Sequence, residues 1–229
     1  MNRILKVLIL ALFATGFLLA PASHAIASDD AKADHNDELA TLLTRVQNHY
    51  QKTGTLKAKF TENISAADGR KRDRTGTVYY RKPGKMRWEF DGPEPEIIVS
   101  DGTELYTYAS DLNQVMKAPL ARVFKSSAPV AFLLGVGDLK RDFTASLPAS
   151  PPADGLVHLD LTPKKGGELI ELGLDPKSYD LLSMKISDPL GNSTTMRLID
   201  PQTNVALQDS LFVFEPPKGA DIVEAPGAP

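Results

Sequence analysis

The stretch RKPGKMRWEFDGPEPEIIVSDGTELYTY, residues 81–108, alternates apolar and polar side chains and is interrupted by Pro and Gly. Successive side chains of a β-strand point to opposite faces, so Met86, Trp88 and Phe90 would share one face. An Asp-Gly pair at residue 101 separates two further alternating runs, which is typical of a tight hairpin turn. The stretch therefore predicts three consecutive antiparallel strands.

The same alternation continues on both sides of this stretch. Strands are predicted for AKFTENIS, GTVYYRK, LVHLDLTP, ELIELGLD, LLSMKISD, TTMRLID and LFVFEPP, with Asp, Gly, Pro and Lys in the turns between them. About ten or eleven antiparallel strands curl into a barrel or divide into two sheets. The fold class is therefore mainly β (α+β), with a large, strongly curved antiparallel sheet.

Two regions have helical spacing instead. One amphipathic helix should follow Asp37 and end before Gly54, with its apolar stripe formed by Leu39, Leu42, Leu43, Val46 and Tyr50. Residues 117–136 predict two short helices joined at Pro129. A strand through VAFLLGV is the alternative, because periodicity alone does not classify a short apolar run.

The N-terminal 27 residues have the layout of a cleaved secretory signal. Two cations precede an uncharged run and then an Ala-x-Ala, and the run is short for a membrane span. We expect a disordered leader at 28–37, a single domain at 38–223 and a flexible tail at 224–229. The mature chain should be exported and remain in solution, without disulfides because it has no Cys.

Motifs for catalysis, metal binding and nucleotide binding are missing from the sequence. It contains no Cys and no Gly-x-Ser-x-Gly, and its four His do not have metal-ligand spacing. We therefore expect no metal site and no nucleotide or other cofactor. A net charge of −3 argues against a nucleic-acid partner, which would require a basic surface.

Apolar surface is what remains to explain a function. The residues that should face the inside of the sheet are Met86, Trp88, Phe90, Tyr106, Tyr108, Leu159, Met184 and Phe212. They could form an ordinary filled core, or they could line a ligand cavity, since a barrel of this size can enclose more space than its own side chains fill. The pattern alone leaves both interpretations open.

Residues 81–115 resemble the signature region of the LolA family of periplasmic lipoprotein carriers. The matching features are Lys82-Pro83, Arg87-Trp88-Glu89, Pro95, Val-Ser-Asp-Gly at 99–102, the pair Tyr106 and Tyr108, and Gln114-Val115. The ending FVFEPPKGADIV is similar to the closing strand and exit of the family.

The resemblance implies an unclosed antiparallel barrel with a lid of short helices over a hydrophobic cavity for acyl chains. The lid residues would be Leu43, Val46, Leu120, Val123, Phe124, Phe132 and Leu133. In the family a basic residue before the signature Pro holds the lid. Arg is usual at that position, and this chain has Lys82 there. The resemblance therefore assigns the latch role to Lys82, with Arg81, one residue earlier, as the alternative latch.

The resemblance also implies no enzymatic activity, and it implies partners. They are acylated lipoproteins as cargo, an ABC-type releasing complex in the inner membrane, and a lipoprotein receptor at the outer membrane, with the carrier itself a periplasmic monomer. Another lipid or glycolipid shuttle, or a sensor of mislocalised lipoproteins, is the alternative on the same scaffold. A hydrolase with an unrecognised acid pair is a third possibility.

Overall fold

Twelve strands and three helices make up the described part of the protein. The computed structural model describes residues 29–93, 95–123, 138–164 and 166–225, with side chains described from residue 37. The helices are α1 (Asp29–Lys52), α2 (Leu120–Val123) and α3 (Leu139–Asp142). The strands are β1 (Thr55–Ser65), β2 (Lys71–Arg81), β3 (Lys85–Phe90), β4 (Glu96–Asp101), β5 (Glu104–Ala109), β6 (Gln114–Pro119), β7 (Phe143–Ser146), β8 (Val157–Pro163), β9 (Leu169–Leu174), β10 (Leu181–Ser187), β11 (Ser193–Thr203) and β12 (Asp221–Glu224).

All strands belong to one sheet, in the order β12-β6-β5-β4-β3-β2-β1-β11-β10-β9-β8-β7. Every pairing is antiparallel except that of β12 with β6. Among the described strands, β7 and β12 end the order and are not paired with each other, so the barrel is unclosed. The predicted fold class is confirmed, with twelve strands in place of ten or eleven.

The sheet curls around α1. Val46 of α1 is fully buried in one apolar cluster that also contains Ile98 of β4 and Leu161 of β8. These strands are seven positions apart in the sheet. At about 4.8 Å per strand a flat sheet would separate them by about 34 Å, roughly three helix diameters. The concave face of the sheet therefore holds the helix and the main core.

The two ends of the sheet differ in what they carry. The C-terminal turn of α1, the β4–β5 turn and the β9–β10 turn lie at one end, here named the anchored end. The β1–β2, β3–β4 and β10–β11 connections lie at the other end, here named the hairpin end. At the anchored end the predicted Asp-Gly turn is present: the Asp101 carboxylate accepts hydrogen bonds from the backbone N–H of Thr103 (2.7 Å) and Glu104 (2.8 Å).

The C-terminal segment covers the convex face. After β11 the chain forms a 3-10 turn at Asp209–Phe212 and then crosses to pair as β12 along β6. Phe212 is only 1% exposed, and the Arg81 guanidinium lies 5.1 Å from its ring centre. Val99 and Val115 are completely buried but stand outside the main core cluster. A second, smaller apolar layer thus lies on the outside of the sheet.

Several sequence predictions need correction. The helix begins at Asp29, so residues 29–37 are helical where a disordered leader was expected. LFVFEPP, predicted as a strand, forms the end of a 3-10 turn and an irregular segment that packs on the sheet face. Strands β6, β7 and β12 were not predicted. β6 ends with residues 117–119, which were expected to start a helix, and β7 has only four residues. β12 forms the end of the predicted domain, and its last residue, Glu224, lies in the expected tail.

The predicted pair of helices at 117–136 corresponds only in part to the structure. Residues 117–119 end β6, and α2 follows at Leu120–Val123. The Pro129 joint and the alternative strand through VAFLLGV lie outside the described residues.

Candidate functional site

An aromatic wall occupies the centre of the concave face. It consists of Phe60 on β1, Tyr80 on β2, and Trp88 and Phe90 on β3. The Phe60 ring meets Trp88 edge-on at 4.9 Å and Phe90 at 5.2 Å between ring centres, and Tyr80 meets Trp88 at 6.0 Å. Edge-to-face contacts at such distances are the favourable geometry for aromatic pairs.

Glycine at position 76 gives the Phe60 ring its place in this wall. Gly76 stands opposite Phe60 across the β1–β2 pair. A Cβ atom there would lie 2.7 Å from the Phe60 ring and 2.1 Å from the backbone oxygen of Glu89. Only a residue without a side chain therefore allows the ring to lie flat against β2.

Five of the predicted lining residues reach the concave face. Met86, Phe90, Leu159 and Met184 belong to the main buried cluster, and Trp88 is half-buried against it. The alternating pattern of β3, β8 and β10 therefore assigned the correct face to these side chains. Whether they touch a ligand stays a prediction.

The other three predicted lining residues, Tyr106, Tyr108 and Phe212, are on the convex side, which corrects the expected cavity. The Tyr106 and Phe214 rings stack at 5.4 Å, and Tyr108 lies 6.4 Å from Phe214. On β5 it is Leu105 that enters the main cluster. Both faces of β5 carry apolar residues because the C-terminal segment covers the outer one, so alternation alone did not reveal which set points inward.

The C-terminal end of α1 is fixed to the anchored end by four polar contacts. The Lys82 ammonium donates to the backbone carbonyl of Tyr50. The Tyr50 hydroxyl accepts from the Leu181 N–H at 2.7 Å, and His49 Nε2 lies 2.9 Å from Asp180 Oδ1. On the same side Arg45 donates to the Tyr179 hydroxyl at 2.8 Å. Burial lowers the pKa of Lys82 and raises that of Tyr50.

The two candidate latch residues point to opposite faces. Lys82 contacts α1, whereas Arg81 pairs with Asp209 and the Leu207 carbonyl of the convex segment. Of the residues assigned to the lid, Leu43, Val46 and Leu120 are buried in the main cluster and Val123 is half-buried against it. Phe124, Phe132 and Leu133 lie outside the described residues.

Further along α1, α3 supplies contacts of its own. The Leu139 N–H donates to Gln47 Oε1 at 3.1 Å, and the Lys140 ammonium donates to Thr44 Oγ1 at 2.9 Å. Leu139 itself is fully buried. The helix α1 is thus held by polar contacts along one side while its apolar side fills the concave face.

A charged group that the sequence pattern did not single out closes the aromatic wall at the hairpin end. Arg74 Nε donates to Glu62 Oε2 at 2.5 Å, and its Nη1 donates to Glu96 Oε2 at 2.9 Å. Its guanidinium carbon lies 4.0 Å from the Phe90 ring centre. Desolvation raises the pKa of Glu96, against the opposing effect of Arg74. The sequence signal that could have revealed this group is an Arg at an inward-facing position of a strand.

A cavity of about 10 Å³ lies between α1 and β2, lined by Tyr50 and Tyr80, and this volume suffices for a single water. An acyl chain is far larger than this cavity and does not fit into it. No cluster of metal-ligating side chains occurs within the described ranges, and none of the helices described is long and apolar enough to span a membrane.

The family model for the outer membrane lipoprotein carrier protein LolA matches residues 51–215, which include all strands from β1 to β11. The chain belongs to the LolA family. A LolA relative named outer-membrane lipoprotein carrier protein from Dechloromonas aromatica is 35% identical over 188 residues, covering 80% of this chain and 88% of the relative. A protein of the same name from Cupriavidus pinatubonensis is 33% identical over 199 residues, covering 85% and 89%.

A solved structure shares the fold of this chain. The crystal structure of an uncharacterized conserved protein from Thermus thermophilus aligns with a TM-score of 0.53 at 16% identity. The alignment covers 82% of this chain and 99% of that one. At this identity the likeness concerns the fold alone. LolA is a family of carriers, so the protein is placed among carrier proteins by its family.

Proposed function

We propose that the protein is a periplasmic carrier of acylated lipoproteins, which shields their acyl chains against the concave face of the sheet. The observation that carries the proposal is the identity of 35% over most of the chain with a protein named outer-membrane lipoprotein carrier protein. The continuous apolar surface formed by α1 and the concave face supports it, because this is a surface that a hydrocarbon chain can share.

The size of the hydrophobic effect explains why a carrier is needed. Burying hydrocarbon contributes about 0.8 kcal/mol per CH₂, so one chain of roughly sixteen carbons opposes exposure to water by about 13 kcal/mol. A lipoprotein with several such chains does not cross an aqueous compartment unaided. A carrier, in turn, must keep its apolar surface covered when empty, because a large exposed patch promotes aggregation.

In this proposal α1 is part of the cover. Its apolar side occupies the concave face, and its polar contacts with Lys82, Asp180 and Tyr179 lie mostly at the anchored end. Cargo that displaces the helix exchanges one set of apolar contacts for another. The free-energy difference between the empty and loaded states is therefore much smaller than the full value of burying the acyl chain.

We further propose two membrane partners. An ABC-type complex of the inner membrane would use ATP to release cargo into the carrier, because extraction from a bilayer is uphill. A lipoprotein receptor at the outer membrane would accept the cargo. The carrier would act as a monomer, with each step a transfer between apolar surfaces.

Uptake of a native lipoprotein tests the carrier function. Inner-membrane vesicles loaded with a triacylated lipoprotein are incubated with the protein, ATP and the releasing complex, and the supernatant is separated by size exclusion. We expect the lipoprotein to co-elute with the protein. Its exclusive presence in the vesicle fraction or in aggregates would contradict the function.

A matched pair of variants locates the surface used. Trp88→Glu places a charge in the aromatic wall and should abolish co-elution, because cargo would have to bury that charge. Ile199→Glu introduces the same side chain at a large apolar residue of β11 that is 43% exposed, and should leave uptake unchanged. Circular dichroism of both variants confirms that they are folded.

A further inference from the structure

Arg74 stands where the apolar lining of the concave face ends. Along β2 the inward-facing residues are Tyr80, Val78, Gly76 and then Arg74, in order from the anchored end to the hairpin end. The Arg74 side chain is only 6% exposed, and its guanidinium covers the Phe90 ring. Buried Arg side chains are rare unless fully paired.

The third nitrogen of this guanidinium, Nη2, differs from the other two in its hydrogen bonding. Nε and Nη1 are occupied by Glu62 and Glu96. Nη2 is equally buried but has no hydrogen-bond partner within the part of the chain that the structure describes. A buried unpaired donor is unfavourable and calls for an explanation, of which an acceptor supplied by a ligand is one.

The charges around Arg74 restrict what that acceptor can be. Two carboxylates flank one guanidinium, so the cluster has no surplus positive charge to attract a phosphate or a carboxylate. A neutral carbonyl oxygen accepts from a cationic N–H without adding negative charge beside Glu62 and Glu96. Each acyl chain of a lipoprotein carries one such group, its ester or amide carbonyl, at the boundary between hydrocarbon and polar head.

The hairpin end is also the more accessible end of the concave face. Close to it the inward-facing Ile64 and Thr194 are only half-buried. Towards the anchored end the corresponding residues, Leu56 and Leu198, are buried. A chain lying on the aromatic wall can therefore have its polar end beside Arg74 and its hydrocarbon tail directed towards α1.

We infer that Arg74 Nη2 donates a hydrogen bond to an ester or amide carbonyl of the bound acyl chain, and so directs the cargo's polar end to the hairpin end. This inference rests on the proposed carrier function and names the chemical group that the carrier recognises. It assigns Arg74 a role in selecting acyl chains over plain hydrocarbon.

Two synthetic lipopeptides test the inference. Both carry a glyceryl-cysteine with two sixteen-carbon chains, joined by ester bonds in one and by ether bonds in the other, so that only the carbonyl groups differ. Dissociation constants are measured by titration in detergent-free buffer below the aggregation concentration. The wild type should bind the ester form about tenfold more tightly, the ratio for one charge-assisted hydrogen bond.

Variants assign this preference to a residue. Arg74→Met should bind both lipopeptides with nearly equal affinity, because Met has no N–H to donate to the ester carbonyls. Arg72→Met is the matched control, since Arg72 lies on the same strand and at the same parity but is exposed at the hairpin tip. It should keep the tenfold preference.

The outcomes separate the inference from the carrier function. Equal binding of ester and ether forms by the wild type, or full preference in Arg74→Met, overturns the role of Arg74 and leaves the carrier intact. Failure of the wild type to bind either lipopeptide overturns both. If Arg74→Met does not fold, the infrared band of a ¹³C-labelled ester carbonyl decides: it should move to lower frequency on binding to the wild type, and an unmoved band overturns the inference.

Discussion

At the scale of single residues, Arg81 and Lys82 show how one step along the chain separates two roles. Arg81 binds the C-terminal segment on the convex face. Lys82 reaches the last turns of α1 on the concave side. A carbonyl near the C-terminal end of a helix is a favourable acceptor for a cation, because the helix dipole is negative there.

Removal of the Lys82 ammonium should loosen α1 specifically. Lys82→Met retains the aliphatic stem but leaves the Tyr50 carbonyl without this donor, which costs about 1–2 kcal/mol. We expect amide exchange in the last two turns of α1 to accelerate roughly tenfold, as measured by mass spectrometry on peptides that cover the helix.

Arg81→Met is the control for that substitution. It should increase exchange around the 3-10 turn at Asp209–Phe212 and leave α1 protected. Unchanged exchange of α1 in Lys82→Met, or the reverse pattern between the two variants, would contradict the assignment of Lys82 as the helix anchor.

The residues that could be assigned from the sequence are those whose neighbours differ in polarity. Trp88 stands between Arg87 and Glu89, so its inward direction follows from alternation. Tyr106 stands between Leu105 and Thr107, and both Tyr106 and its neighbours can be buried, so alternation does not show which of them points inward. Arg74 was missed because its role depends on Glu62 and Glu96, which come together only through the register of β1, β2 and β4.

At the scale of elements, the segment after β11 acts as an outer support for the sheet. Phe212 is its main apolar contact and is fully enclosed between this segment and the convex face, where Arg87 also donates to the Leu211 carbonyl at 3.3 Å. None of these contacts reaches the concave face. The segment should therefore contribute to stability and leave cargo binding unaffected.

Truncation of Phe212 separates the two effects. Phe212→Ala should lower the free energy of unfolding by about 3–5 kcal/mol, the usual range for a buried aromatic, as measured by urea denaturation. Val213→Ala, at a neighbour that is 57% exposed, should change it by less than about 0.5 kcal/mol. Lipoprotein uptake per folded molecule should be normal in both variants. Loss of uptake by folded Phe212→Ala would contradict this and indicate that Phe212 lines the cavity.

Elements with a strong local pattern were predictable, and those that depend on a distant partner were not. The alternation in β1 to β5 and in β8 to β11 identified these strands. β12 is short and exposed on all four residues, and it is a strand only because β6 offers a parallel edge. β7 likewise depends on β8, and the N-terminal half of α1 follows a polar sequence without an apolar stripe.

At the scale of the whole molecule, we propose that one surface serves both as the core and as the lipid site. The main cluster is filled by α1 when the carrier is empty. In this proposal the same surface becomes a lipid site once the helix moves away, and neither a closed sheet nor a disulfide opposes that movement. The central claim is that the aromatic wall is the acyl-chain surface.

The chain's single Trp lies in that wall, which makes fluorescence quenching the most direct measurement of the claim. Trp88 emission is recorded while a lipopeptide with brominated acyl chains is added, and the unbrominated form serves as the reference, because bromine quenches indole only at short range. The account predicts strong quenching that saturates together with binding. Binding of the brominated lipopeptide without loss of Trp88 emission would contradict it.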